Sequence, residues 1–288
     1  MIYRLILKGE LQVKQIELAN QCGDKEIFWC VPSRYTHQNI LQYSYFRIYE
    51  QKEITTPASP LVNIIYVMDG SCNYEGTEVK KGDVIIYGIH KDPITSYSTD
   101  IELFTIDVDF ILLYKLFGLT PSMYQKVLFL PKGHVLSEFG TRLGDTPMEK
   151  WVEMAESFWE ELFLVQATQV HQQAYECVLQ LAQNLQKGIS EESDCYKKFG
   201  ISRRHLQRQF IRFFGMTMRD YERIFRFYKA FCQLDNTTLA ETAIQAGYYD
   251  QSHMNREFKQ MAGTSPQKTA QHVMYNPLKE TCRNQNLY

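Results

Sequence analysis

The spacing of hydrophobic residues changes along the chain, and the change predicts two kinds of structure. From Tyr43 to Asp109, short apolar runs are separated by turn residues, and Ile101–Val108 alternates apolar and polar positions with period two. The run Leu61–Met68 ends at Asp69-Gly70, a pair that favours a tight hairpin turn. Strands separated by such turns predict a small antiparallel barrel or sandwich.

Helical spacing begins near Asp145. Asp145, Thr146 and Pro147 are typical of a helix start, and the apolar residues after them recur every three or four positions. A second helix is expected over 170–187, and we place a domain boundary within 142–146. The apolar residues of the first helix form a wide surface: Trp151, Met154, Phe158, Trp159, Leu162 and Phe163. This surface predicts a homodimer contact, with burial inside one chain as the alternative.

The last hundred residues are predicted to be helical throughout, with capping residues that mark each start. Ser202 should cap a helix that ends at Gly215, and a longer helix should run from about 217 to 234. Thr238 and Glu241 form a capping box before a short helix, and Asp250 should cap the next one. The result is two helix pairs joined by one long helix.

Two of these helices combine an apolar face with a face of amides and guanidinium groups. Such groups can form paired hydrogen bonds with base edges in a major groove, so the helices near 202–213 and 251–261 are predicted to read DNA. His205 and His253 occupy matching offsets and are expected to pack or to contact phosphate. The predicted DNA-binding residues are Ser202, Arg203, Arg204, His205, Gln207, Arg208, Asp250, Gln251, Ser252, His253, Asn255 and Arg256.

The region 189–269 resembles the AraC/XylS family of bacterial transcription regulators, which carry two helix-turn-helix units. The second unit matches best, through Ala246-Gly247-Tyr248, Asp250-Gln-Ser-His253, Arg256-Glu-Phe-Lys259 and Gly263-Thr-Ser-Pro266. The resemblance implies a promoter target, activation rather than repression, and contact with RNA polymerase. Tyr196 stands where the family has a small residue, so we expect the first unit to be locally less stable.

Charge and composition agree with a regulator. Residues 189–288 carry 15 Lys and Arg against 10 Asp and Glu, a net of +5, whereas the whole chain has a net charge of −2. Seven cysteines without paired spacing argue for reduced thiols and against a disulfide frame or zinc site. His90 lacks an HxH partner, so no metal or other cofactor is expected. We expect no signal peptide and no membrane span, which favours a cytoplasmic protein.

Together these patterns predict an α+β protein in three parts. Residues 1–142 form a β-rich sensing or dimerisation domain, and the segment 70–84 is similar to a cupin hairpin. Residues 143–188 form connecting helices, and 189–288 form the all-α DNA-binding domain with two helix-turn-helix units. The protein is expected to be a sequence-specific regulator of double-stranded DNA rather than an enzyme, with a small-molecule effector in a mostly apolar, metal-free pocket. The alternative is a cupin-like binder or enzyme whose helical domain serves assembly.

Overall fold

A computed structural model describes most of the chain. The described residues are 13–17, 25–30, 39–49, 52–74, 76–125, 127–166, 175–186, 197–234 and 237–270. The strands precede the long helices, which confirms the predicted α+β class.

The nine strands form one antiparallel sheet. Its strands are β1 (Val13–Glu17), β2 (Lys25–Cys30), β3 (Ile40–Ile48), β4 (Lys52–Thr56), β5 (Val62–Tyr74), β6 (Thr77–Lys80), β7 (Val84–Tyr87), β8 (Ile94–Val108) and β9 (Leu128–Phe129). Their order is β1-β2-β3-β8-β5-β7-β9, with β4 also paired to β8 and β6 to β5.

The sheet is open, so of the two predicted forms, a barrel or a sandwich, the barrel is wrong. No pairing within the described part of the chain joins β1 to β9. The long strand β8 explains the shape, because β3 and β4 follow one another along the same edge of it. Its other edge pairs with β5, where register shifts near Val67 and Ser71 bend the ladder.

Period-two alternation gives the sheet two buried faces. Phe104, Ile106 and Val108 face a large core that continues into the helices. Ile101 and Leu103 face a separate apolar cluster on the other side. Strands buried on both faces fit the apolar run of β5. The hairpin turn predicted at Asp69-Gly70 is wrong, because β5 continues through this pair as far as Tyr74 and the positive φ of Gly70 lies next to a register shift in the ladder.

Nine helices follow or interrupt the sheet in the described residues. They are α1 (Phe110–Phe117), α2 (Val135–Gly144), α3 (Trp151–Gln166), α4 (Glu176–Gln186), α5 (Arg203–Phe214), α6 (Met218–Gln233), α7 (Leu239–Gln245), α8 (Gln251–Met261) and α9 (Pro266–Ala270). Single 3₁₀ turns occur at Pro121–Met123 and Met148–Lys150.

The helical start near Pro147 is confirmed, since its 3₁₀ turn leads directly into α3. Helices α1 and α2 were not predicted from the sequence. Helix α1 is apolar nearly all round, so its sequence could equally represent a buried strand. Asp109 favours the helix, because its side chain caps the start of α1 by accepting a hydrogen bond from the backbone N–H of Ile111.

Helix α1 packs directly against α5. Phe110 meets Phe213 and Phe214 edge-on, with ring centroids 6.1 and 5.0 Å apart, and Tyr114 meets Phe213 at 5.0 Å. Gln125 adds a polar contact by donating from Nε2 to the carbonyl oxygen of Phe214 at 2.9 Å. The end of α5 is therefore fixed to the sheet domain by packing and by a hydrogen bond.

A second contact reaches the end of α8. The backbone N–H of Ala58 donates to the carbonyl oxygen of Met261 at 2.7 Å. The segment around Ala58 is braced by His90, whose ring nitrogens lie 2.9 Å from the carbonyl oxygens of Gly88 and Pro57. Burial lowers the pKa of His90, and the two carbonyl contacts oppose this change, because both ring nitrogens can donate only when the ring is protonated.

One sequence-based expectation is wrong in the helical region. Cys232 in α6 is disulfide-bonded rather than reduced, and spacing along the sequence did not indicate this because it does not report distance in the fold. Four of the six apolar residues of α3 are buried within the chain, where Phe158 stacks on Phe139 at 4.3 Å and also packs against Trp159 at 5.3 Å. Met154 and Phe163 are partly buried, and the homodimer stays a prediction.

Burial of Trp159 generates a stability prediction. Its side chain is 0% exposed, so Trp159→Glu places an unpaired charge in the core. We expect a loss of about 4 kcal/mol in the free energy of unfolding, measured by urea denaturation. Leu164→Glu is the control on the same helix, because Leu164 is 81% exposed. A folded Trp159→Glu monomer with the stability of the control would contradict this packing.

Candidate nucleic-acid interface

Helix α5 has the cap, length and two-faced character that the sequence predicts. The Ser202 hydroxyl accepts a hydrogen bond from the His205 N–H at 3.2 Å, and Gly215 ends the helix in a left-handed conformation with φ of 69°. Leu206, Phe210, Phe213 and Phe214 are buried. The opposite face is exposed and carries Arg203, Arg204, Gln207 and Arg208.

His205 lies between the two faces of α5 and makes contacts within the helix. Its Nδ1 is 3.2 Å from a terminal nitrogen of Arg208, and its Nε2 is 3.0 Å from Nε2 of Gln209. The ring therefore holds the Arg208 side chain against the helix surface. This is a packing role of the kind expected from the sequence.

The second unit has the same design. Thr238 and Glu241 form the predicted capping box at α7, and Ala243 and Ala246 are buried where α8 crosses. Asp250 caps α8 by accepting from the His253 N–H at 2.7 Å. Gly247 supplies the turn with φ of 86°, a conformation that a side chain would strain.

Helix α8 presents the predicted polar face. Met254 and Phe258 are buried, whereas Ser252 and Arg256 are exposed, and Gln251 and Asn255 are partly exposed. His253 meets Tyr248 edge-on at 5.3 Å. All twelve predicted residues therefore lie in α5, in α8 or at their caps.

Glu257 is a buried anchor that the sequence analysis did not identify. Its carboxylate accepts from Nε of Arg223 at 2.7 Å and lies 3.8 Å from Nε of Arg226. The hydrogen bond to Glu257 raises the pKa of Arg223, and burial opposes that change. Arg226 also lies over the Tyr248 ring, 5.3 Å from its centroid. These contacts fix α8 to α6.

Helix α6 packs against both α5 and α8. Its Tyr221 meets Phe210 and Phe214 of α5, with centroids 5.5 and 4.7 Å apart. Its Phe227 meets Phe258 of α8 at 4.7 Å. One rigid element therefore sets the distance between the two exposed faces.

Part of the first unit cannot be compared with the sequence analysis. Tyr196, on which the expectation of a less stable first unit depends, lies outside the described residues. That expectation stays a prediction.

Comparisons with known proteins agree with this geometry. Residues 195–272 match a family described as a helix-turn-helix domain, which is of the AraC type. No curated protein sequence matches the chain. Residues 195–272 therefore form an AraC-type helix-turn-helix domain of a DNA-binding transcription regulator.

Solved structures add information on the fold. ToxT from Vibrio cholerae is 10% identical, with a TM-score of 0.50 over 80% of this chain and 97% of that chain. A ToxT structure with bound unsaturated fatty acid is 11% identical, with a TM-score of 0.49 over 82% and 96%. The AraC-like transcriptional activator CuxR is 14% identical, with a TM-score of 0.35 over 81% and 90%. At these identities the ToxT match at 0.50 supports the shared fold alone.

A cavity of about 110 Å³ lies on the face of the sheet opposite to the helices. Tyr74 and Tyr87 line it, whereas Tyr66 and Phe104 face the other way into the large core. Tyr66 and Tyr74 are an even number of residues apart on β5, so the register shift between Val67 and Asp69 places them on opposite faces.

The described part of the chain bears on two other classes of site. No group of three or more His, Cys, Asp or Glu residues in that part of the chain is arranged to hold a metal ion. No helix within the same residues is long and apolar enough to cross a bilayer.

The Glu257 anchor generates a prediction that separates stability from DNA contact. Glu257→Ala leaves Arg223 and Arg226 without their shared partner, so we expect a loss of about 2 kcal/mol in the free energy of unfolding. The matched control is Arg256→Ala, one residue away but exposed, which should change stability by less than about 0.5 kcal/mol. Urea denaturation measures both, and equal effects would show that Glu257 does not anchor α8.

Proposed function

We propose that the regulator reads DNA with both α5 and α8, placed in successive major-groove segments about 34 Å apart on one face of the duplex. The observation that carries this proposal is the pair of exposed polar faces fixed to the single helix α6. The residues that we propose to contact DNA are the twelve that the sequence predicts. Arg256, Asn255 and Gln207 have the donors and acceptors that suit base edges.

Basic residues around the two faces would contact the phosphate backbone. Arg212, Arg219, Lys259 and Lys268 are exposed and lie within or next to the two units. Such contacts release counterions, so affinity should fall as salt concentration rises. They orient the protein on the duplex but do not distinguish sequences.

We further propose activation of a promoter, with RNA polymerase as partner, in line with the family resemblance. The proposed division remains 1–142 for sensing, 143–188 for connection and 189–288 for DNA binding. The cavity of the sheet domain is the proposed effector site, and the protein acts as a regulator rather than an enzyme. We also propose a homodimer, and light scattering of the purified chain measures its mass.

Sequencing the genomic DNA fragments that the purified protein retains would identify the promoters. A shared motif with two parts about one helical turn apart supports reading by both units. Retention of fragments with no shared motif would contradict sequence-specific binding. The motif also supplies the duplex for the two measurements that follow.

Arg256→Ala tests the role of α8 in reading bases. We expect a loss of about 1–3 kcal/mol in binding free energy, roughly 5- to 150-fold in Kd, and relaxed preference at one base position. Fluorescence anisotropy with single-base variants of the motif measures both effects. Equal weakening on every sequence would instead indicate a phosphate contact, and unchanged binding would remove Arg256 from the interface.

The rigid connection through α6 predicts a fixed spacing between the two parts of the motif. Inserting 5 base pairs rotates one part by about half a turn, and inserting 10 restores the rotation but adds about one turn of length. Because α6 cannot extend, we expect both insertions to weaken binding to the level of a single half-motif. Recovery of affinity at 10 base pairs would show that the two units move independently.

A further inference from the structure

The cavity of the sheet domain has an apolar middle. Its wall there consists of Phe46 from β3, Ile65 from β5, Tyr87 from β7 and Leu103 from β8. An apolar cavity of about 150 Å³ can hold a benzene-sized ligand, so a space of about 110 Å³ that opens outward suits a similarly small molecule. The apolar wall would contact the body of such a ligand.

One end of the cavity is acidic. Asp107 lines it and is only 3% exposed, and its Oδ1 accepts a hydrogen bond from Nδ2 of Asn63 directly across the β5–β8 ladder. Within the described residues, no other side chain is hydrogen-bonded to this carboxyl. Burial raises the pKa of Asp107 to about 7, and the bond from Asn63 opposes this rise.

The residues lining the cavity include no Lys, Arg or His. A ligand carboxylate at the acidic end would therefore meet Asp107 without any compensating positive charge. Two carboxyl groups that close cannot both stay ionised without a large cost. Above the pKa of Asp107, where its carboxyl is ionised and has no proton to donate, the lining thus disfavours anionic ligands.

A second polar group lies farther along β8. Ser98 lines the cavity and is buried, and its Oγ has no hydrogen-bond partner among the described residues. Neighbouring Ser96 differs, since its Oγ donates to the carbonyl oxygen of Ile54. An unsatisfied buried hydroxyl costs free energy that a ligand or water can recover.

We propose that this cavity binds a small, mostly apolar molecule whose polar end donates a hydrogen bond to Asp107, and that it rejects carboxylates. This inference rests on the proposed function of the sheet domain as an effector site. The apolar wall provides the affinity for the body of the ligand. The carboxyl oxygen of Asp107 that does not accept from Asn63 selects a ligand whose polar group is a hydrogen-bond donor. Ser98 provides a second contact for a ligand that reaches across the cavity.

Three probes with a shared ring test the polar group alone: benzyl alcohol, benzylamine and benzoate. Titration calorimetry on the full chain should show the alcohol and the amine binding at least about tenfold more tightly than benzoate, the difference expected for a hydrogen bond to a charged or polar partner. Benzoate binding as tightly as both donors would overturn the proposal. So would the absence of donor binding at millimolar concentrations.

Asp107→Asn identifies the group responsible. The amide keeps the size of the side chain but gains a donor, so the preference for the alcohol and amine over benzoate should fall to less than about threefold. Asp92→Asn is the matched control, because Asp92 is an exposed carboxylate of the same domain that does not line the cavity. A preference that persists in Asp107→Asn would overturn the assignment to Asp107. If that variant fails to fold, the ranking of probes on the unmodified chain still decides the ligand class.

DNA binding provides a separate readout. Anisotropy without any probe tests the regulator itself, and Asp92→Asn should bind the retained DNA motif as the unmodified chain does. A chain that binds DNA but shows no donor preference disproves the ligand class alone. A chain that prefers donors but binds no DNA disproves the proposed function and leaves the cavity chemistry intact.

Discussion

The contact between α1 and α5 is the interaction on which the arrangement of the whole molecule depends. Phe110 of α1 lies against Phe213 and Phe214, and Phe214 lies in turn against Tyr221 of α6. Aromatic pairs in this geometry gain about 0.5–1.5 kcal/mol each beyond the area they bury. Gly215 is required beside them, because φ is positive and an added Cβ would lie 2.5 Å from the Gln125 side chain. The sheet domain therefore contacts the same helix that presents Arg204 and Gln207.

The sheet domain holds the carboxyl ends of both DNA-facing helices and leaves their exposed faces open. Gln125 fixes the end of α5, and Ala58 fixes the end of α8 through Met261. Since α6 already joins the two helices, these outer contacts close a second path between them. A shift of the sheet domain would change both helices together. This is the kind of two-site linkage through which an effector can change DNA affinity.

Local sequence signals predicted the DNA-binding half well, because its caps and faces depend on neighbouring residues. Ser202, Thr238 and Asp250 cap the expected helices, and Leu206 and Met254 are buried as their spacing requires. Contacts between distant parts of the chain were not predictable in this way. Glu257 looks like a surface residue until Arg223 is placed beside it, and the apolar face of α3 suits a partner chain as well as the core that buries it. The open sheet also follows from long-range pairing, since only the fold reveals that β3 and β4 share one edge of β8.

The end of β8 brings the proposed effector cavity and the cap of α1 within three residues of each other. Asp107 points into the cavity, Val108 points into the large core, and Asp109 caps α1. Burial raises the pKa of Asp109 to about 6, and its charge contributes to the raised pKa values of Tyr124 and Tyr221 beyond the effect of their own burial. Asp109 is thus electrostatically close to the interface that fixes α5. Because side chains alternate along a strand, one strand end can face both the cavity and the large core. A ligand that moves Asp107 therefore acts on the same backbone that positions Asp109, the cap of α1. The shortest connection between cavity and DNA-facing helix therefore runs along the backbone from Asp107 to Phe110, and then through aromatic packing to Phe213.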